Sequence, residues 1–144
     1  MFGVKTFGNL ILLSCHGFVE FWERVLITHF NLPVLPTFDQ PRADRLLSGD
    51  PQRTTWSHYT SADRQLSCGI WACEVGSWRI AFAADKEEFF CVIEGEVCLW
   101  DQNDQGVVVK AGEAAVIPAG FVGRFEVIQA VRKYFVVLDR SAAV

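Results

Sequence analysis

From Arg53 onward, short runs of apolar, β-branched and aromatic residues alternate with clusters of turn residues, which is the texture of an antiparallel sandwich or barrel. The runs predict strands at Ser67–Glu74, Trp78–Ala84, Glu88–Ile93, Glu96–Trp100, Val107–Lys110, Ala114–Ile117, Gly123–Ile128 and Lys133–Leu138. Strands so closely spaced leave no room for the crossover helices that a parallel sheet needs, so α/β architectures are excluded and an all-β jelly roll is expected. The polar, glycine-ended run Asp101-Gln102-Asn103-Asp104-Gln105-Gly106 suits a hairpin loop between two of them.

Upstream the pattern differs. Between Gly17 and Phe30 the apolar residues Phe18, Phe21, Trp22, Val25 and Leu26 recur at intervals of three and four, which predicts one face of a short helix. The segment Asn31 to Pro51 carries Pro33, Pro36, Pro41 and Pro51 with Gly49, a density of proline that interrupts helix and central strand alike. The expected organisation is an irregular, partly helical extension over residues 1–30, a proline-rich arm over 31–66, a barrel over 67–138 and a tail over 139–144. The extension is expected to be disordered or to lie upstream of a native start near Val25.

At 144 residues the chain suits one domain with a substantial core, and its 51% hydrophobic and 13% aromatic content supports that reading. A formal net charge of -4, with 13 Lys and Arg and no basic run, gives a nucleic-acid backbone little to hold. The apolar run Leu10-Ile11-Leu12-Leu13 before Ser14-Cys15 is too short for a secretory signal, and no stretch approaches the ~20 residues that span a bilayer. Cys15, Cys68, Cys73, Cys91 and Cys98 are odd in number and contain no CxxC pair, so they read as free thiols acting as small hydrophobes in a reducing compartment. A cytoplasmic location is the expectation.

Two runs carry the candidate chemistry. Gly76, Phe82, Ala84, Glu88 and Gly95 read G-x5-F-x-A-x3-E-x6-G, and Gly112, Pro118, Gly120 and Gly123 read G-x5-P-x-G-x2-G. Their spacing resembles the two cupin motifs, the first of which usually has histidine where Phe82 and Ala84 stand, and the second histidine where Gly123 stands. Gly95 is expected to allow a tight turn into Glu96, and Pro118 with Gly120 a bend that re-aims a strand. The segments Arg45–Pro51, Arg53–Tyr59, Trp78–Ala81, Ile117–Phe121 and Val131–Lys133 further resemble the cupin subfamily of the (S)-ureidoglycine aminohydrolase-type domain, itself largely of unknown function. The likeness covers about Leu32 to Leu138 and implies a compact cupin barrel and a homodimer.

The resemblance also implies where a metal would sit. Its ligand positions match Phe82, Ala84, Glu88 and Gly123, and all three histidines, His16, His29 and His58, precede the motifs. One carboxylate does not make a tight site, so no metal and no other cofactor are expected. Rescue by Cys91, Cys73 or His58 would need a bulge or an arm reaching inward, because Glu88 and Cys91 are three apart on a strand.

Strand alternation instead places Trp78, Ile80, Phe82 and Ala84 on one inward face, Glu88, Phe90 and Val92 on a second, and Gly123 with Phe125 on a third. That describes an aromatic pocket with one acid as polar anchor, or a barrel filled by the same side chains. Glu88 buried without a cation would act as acid, base or hydrogen-bond donor; the alternative is a solvated glutamate or one paired with Arg79 or Arg124. His58, in the arm, is a second catalytic candidate. Three functions follow: a metal-free barrel binding a small organic ligand, an acid–base enzyme of isomerase, lyase or amidohydrolase type using Glu88, and a purely structural dimerising barrel. Nucleic acid and membrane are not expected partners.

Overall fold

The computed structural model of the chain describes residues 25–142 and the backbone of three upstream strands, β1 (Lys5–Phe7), β2 (Leu10–Cys15) and β3 (Phe18–Glu23). These three form an antiparallel sheet in sequence order. The helix expected over Gly17–Phe30 is not formed: β3 pairs with β2 from Leu10↔Glu23 to Cys15↔Phe18, and residues 25–29 have no regular structure. Phe, Val and Trp favour extended backbone, and over so few residues a helical spacing of apolar positions does not override that preference. The expectations for the rest of residues 1–24 and for the last two residues of the tail lie outside the described residues.

Nine further strands build one antiparallel sheet. They are β4 (Thr37–Asp39), β5 (Leu46–Ser48), β6 (Arg53–Thr60), β7 (Leu66–Cys73), β8 (Gly76–Ala81), β9 (Lys86–Trp100), β10 (Gly106–Lys110), β11 (Ala114–Ile117) and β12 (Val122–Asp139), with a single 3-10 turn at Arg140–Ala142. The proline-rich segment is woven into this sheet, since β4 pairs with β6, β6 with β7, and β5 with β8. Pro33 and Pro36 precede β4, and Pro41 and Pro51 fall between strands, where a missing N–H breaks no ladder. No helix among the described residues is long and apolar enough to cross a membrane.

Two strands explain how a single sheet makes a barrel. The expected pairs Glu88–Ile93 with Glu96–Trp100, and Gly123–Ile128 with Lys133–Leu138, are each one continuous strand, β9 and β12. Gly95 is therefore not a turn but a kink within β9, at φ +86°. A Cβ there would overlap the Ala130 carbonyl oxygen and lie 2.7 Å from that of Gln129, so only glycine lets the two strands cross so closely. Opposite it, the β12 register slips between Val127 and Lys133, as bulges do where a sheet bends. Beyond the bend β12 changes neighbours, from β8 over Val122–Val127 to β7 over Val131–Leu138.

The folded sheet thus presents two halves to each other. Phe90, Val92, Val97, Leu99, Val109 and Val127 fill one end of the space between them. At the other end Pro118 to Phe121 turn the chain from β11 into β12, with Gly120 at φ +75° and its N–H donated to the Ala83 carbonyl. That turn and the end of β8 border the opening described next.

Candidate functional site

At the unfilled end a cleft of about 290 Å³ lies between the two halves. Its walls are Trp71 from β7, Trp78 and Ile80 from β8, and Phe125 from β12. The rings hold each other: Trp78 and Phe125 stack with centroids 5.2 Å apart, and Trp71 meets Phe125 edge-on at 5.8 Å. Such contacts between large side chains fix the shape of a cavity, because none can rotate without displacing another.

The polar group in this apolar setting is an ion pair. Alternation along β12 turns Lys133, Phe135 and Val137 inward, and β9 turns Glu88, Phe90 and Val92 to meet them. The Lys133 ammonium donates to Glu88 Oε1 at 2.6 Å. The side chains are 5% and 13% exposed, so both charges are largely out of water. Lys133 Nζ also sits 4.4 Å from the ring centre of Phe90, 4.7 Å from Trp71 and 5.2 Å from Phe125. An ammonium is tolerated here because one carboxylate and three aromatic rings replace part of its hydration.

Further cations stand at the edge of the cleft. Arg53 forks onto Asp39, with Nε to Oδ1 at 2.8 Å and Nη2 to Oδ2 at 2.6 Å, and its guanidinium lies 5.7 Å from the Trp78 ring centre. Lys86, at the start of β9, lies 5.7 Å from the ring of Phe82.

The cleft brings together Trp78, Ile80, Phe82, Glu88 and Phe125 of the residues expected from the sequence. Phe90 is fully buried beneath Lys133 and belongs to the core rather than to the lining. Ala84 is not on a strand face, because β8 ends at Ala81 and Ala84 sits in an exposed turn. Gly123 does not open space: a Cβ there would overlap the Trp100 carbonyl oxygen and come within 2.9 Å of the Phe121 ring. His58 points away from Glu88. It occupies the bulge between Ser57 and Tyr59 in β6, stacks on Phe30 at 4.5 Å, and its buried Nδ1 has no hydrogen-bond partner among the described residues. The cation on Glu88 is neither Arg79, which is exposed, nor Arg124, which lies 3.7 Å from Asp104 and over the Trp100 ring.

Sequence reading missed Lys133, Thr55 and Trp71. Lys133 is detectable only as the inward member of the adjacent cations Arg132-Lys133, by counting back in twos from Phe135 and Val137. Thr55 was hidden by the assignment of its segment to an arm, although it pairs with Trp71 inside the sheet.

The side chains of Phe82 and Ala84 and the glycine at 123 carry no donor atom, and Glu88 is engaged by Lys133. No three His, Cys, Asp or Glu side chains converge among the described residues. Cys73, in the core cluster with Trp78 and Phe125, is buried and donates to the Glu74 carbonyl at 3.3 Å. Burial pushes its pKa up to about 12, so it is neither a ready thiolate nucleophile nor a ready ligand.

Comparison with known proteins gives a consistent picture of the fold. A family model described as the EutQ-like cupin domain matches residues 60–135. Among solved structures, the chain is similar to a protein of unknown function of the DUF861 family from Pseudomonas syringae, at 23% identity and a TM-score of 0.64, over 72% of this chain and 44% of that one. It is similar to the EutQ protein of Clostridium difficile at 21% identity and a TM-score of 0.54, over 62% of this chain and 64% of that one. A putative ethanolamine utilization protein Q from Salmonella typhimurium matches at 18% identity and a TM-score of 0.56, over 74% of this chain and 98% of that one. The chain thus spans less than half the length of the Pseudomonas protein and under two thirds of the Clostridium one. No curated protein matches it.

Proposed function

The chain belongs to the EutQ-like cupin domain family, and we propose that it is a metal-free member that binds a small organic molecule in the mouth of its barrel. The observation that carries this reading is the Lys133–Glu88 pair at the base of an aromatic cleft of about 290 Å³. A few convergent polar groups in a largely apolar concavity are what small-molecule sites are made of. The donor set supports the metal-free part: three of the four ligand positions carry no donor, and the fourth faces an ammonium that a cation would have to displace.

An acid–base enzyme is the second reading, favoured by a carboxylate and an ammonium 2.6 Å apart inside a cavity. The likeness to (S)-ureidoglycine aminohydrolase-type domains belongs with it. In that case Glu88 and Lys133 would exchange a proton with the bound molecule, and His58, on the far side of β6, would take no part. Action as a cytoplasmic homodimer is a further part of the proposal, resting on the family resemblance and the free thiols; light scattering on the purified chain tests the dimer.

The experiment is a thermal-shift screen of small metabolites against the full chain and its Glu88→Gln variant, with elemental analysis of both. Compounds are expected to stabilise the parent and to bind the folded variant more weakly. Finding about one Mn, Fe, Ni or Zn per chain, lost on Glu88→Ala, would overturn the metal-free reading. A screen without any stabilising compound would overturn the ligand reading.

A further inference from the structure

Next to the cleft, and sharing Arg53, Trp78, Ile80, Phe82 and Lys86 with it, a second hollow of about 280 Å³ extends to Arg42, Arg45 and Arg79. Its lining holds five cations and no carboxylate, on a chain whose formal charge is -4. Two of the five are already neutralised, Arg42 by Asp44 and Arg53 by Asp39. Arg45, Arg79 and Lys86 have no carboxylate within ion-pair distance among the described residues.

The backbone forces these charges together. The Arg79 N–H donates to the Arg45 carbonyl at 2.9 Å where β5 meets β8, which sets the two arginines side by side at the hollow. Like charges held this close repel, so an anion between Arg45 and Arg79 favours the arrangement. In the neighbouring cleft Glu88 would oppose an anion, but Lys133 neutralises it at 2.6 Å. Electrostatics therefore favour negative charge at the outer hollow and a neutral, flat group against the rings.

We infer that the molecule held in the cleft is a small organic anion, a deepening that rests on the small-molecule reading above. Its flat apolar part lies against Trp71, Trp78 and Phe125, and its carboxylate or phosphate lies against Arg45, Arg79 and Lys86. Guanidinium forks suit either oxyanion, since both present paired oxygens to two N–H groups.

Tryptophan fluorescence tests this directly, because Trp71 and Trp78 line the cleft. The full chain is titrated with phenyl phosphate, benzoate, benzyl alcohol and inorganic phosphate, and the titrations are repeated with Arg79→Ser and Lys86→Ser. One or both aromatic anions are expected to bind at least about tenfold more tightly than benzyl alcohol, and whichever is tighter identifies the oxyanion. Each variant is expected to weaken the anions about fivefold while keeping the parent melting temperature, and Arg79→Ser, outside the cleft lining, to leave benzyl alcohol unchanged. The inference is overturned if benzyl alcohol binds as tightly as the anions, if inorganic phosphate binds as tightly as phenyl phosphate, or if the variants bind the anions unchanged. If no probe binds while the metabolite screen yields a neutral ligand, this inference fails and the small-molecule reading stands; if that screen is also empty, both fail.

Discussion

Replacing Lys133 by methionine removes the ammonium and keeps most of the stem, so it isolates the charge. The substitution leaves the Glu88 carboxylate, 13% exposed, with its hydrogen-bond donor gone and takes the ammonium from over Phe90, Trp71 and Phe125. Breaking a buried pair from one side costs about 3–5 kcal/mol, and losing contacts between a cation and aromatic rings adds about 0.5–2 kcal/mol. Partial access of water to Glu88 offsets some of this, so a loss of about 2–4 kcal/mol is expected for Lys133→Met. Removing both charges by Lys133→Met with Glu88→Leu restores an apolar interior and is expected to recover to within about 1 kcal/mol of the parent. Urea unfolding of the four proteins in a double-mutant cycle measures the coupling, expected at about 2 kcal/mol or more. A Lys133→Met variant within about 0.5 kcal/mol of the parent would refute the argument that this pair is buried and mutually dependent.

Gly123→Ala drives a methyl group into the Trp100 carbonyl and the Phe121 ring, and is expected to lower stability by at least about 1–3 kcal/mol in urea unfolding; a neutral result would mean the β9–β12 contact is looser than described. With its pKa near 12, Cys73 is expected to resist iodoacetamide at pH 8 in the native protein and to react on unfolding, which mass mapping of labelled peptides reads out. A chain beginning at Thr28 retains Phe30 on His58 and all nine strands of the barrel sheet, so it is expected to keep the parent melting temperature within a few degrees. A large drop in its calorimetric melting temperature would show that residues 1–27 stabilise the barrel.

The alternation after Arg53 was enough to predict an all-β barrel, because apolar and polar positions there keep a period of two. The same pattern did not show that β9 and β12 are continuous. Glycine at 95 reads locally as a turn, and only the crossing of Ala130 and Gln129 makes it a kink. The helix predicted near Phe21 failed for a related reason: intervals of three and four arise readily in short runs rich in aromatic residues. At the site, motif spacing led to Glu88 and alternation to the aromatic walls. The ion pair was not legible, since Lys133 is 45 residues from Glu88 and meets it only through the pairing register of β9 with β12. Arg79 and Arg45 likewise become neighbours only through the pairing of β5 with β8.

The central claim, that this cupin holds a small molecule between its aromatic walls without the aid of a metal, is tested most directly by following the indole N–H signals of the full chain by NMR. The titration is made with the compound that gives the largest thermal shift, with and without a chelator. Binding is predicted to move the signals of Trp71 and Trp78, to leave that of Trp100, bonded to Glu126 at 2.7 Å, in place, and to proceed equally in the chelator. Signals of Trp71 and Trp78 that stay fixed at saturation, or that move only when the chelator is left out, would contradict it.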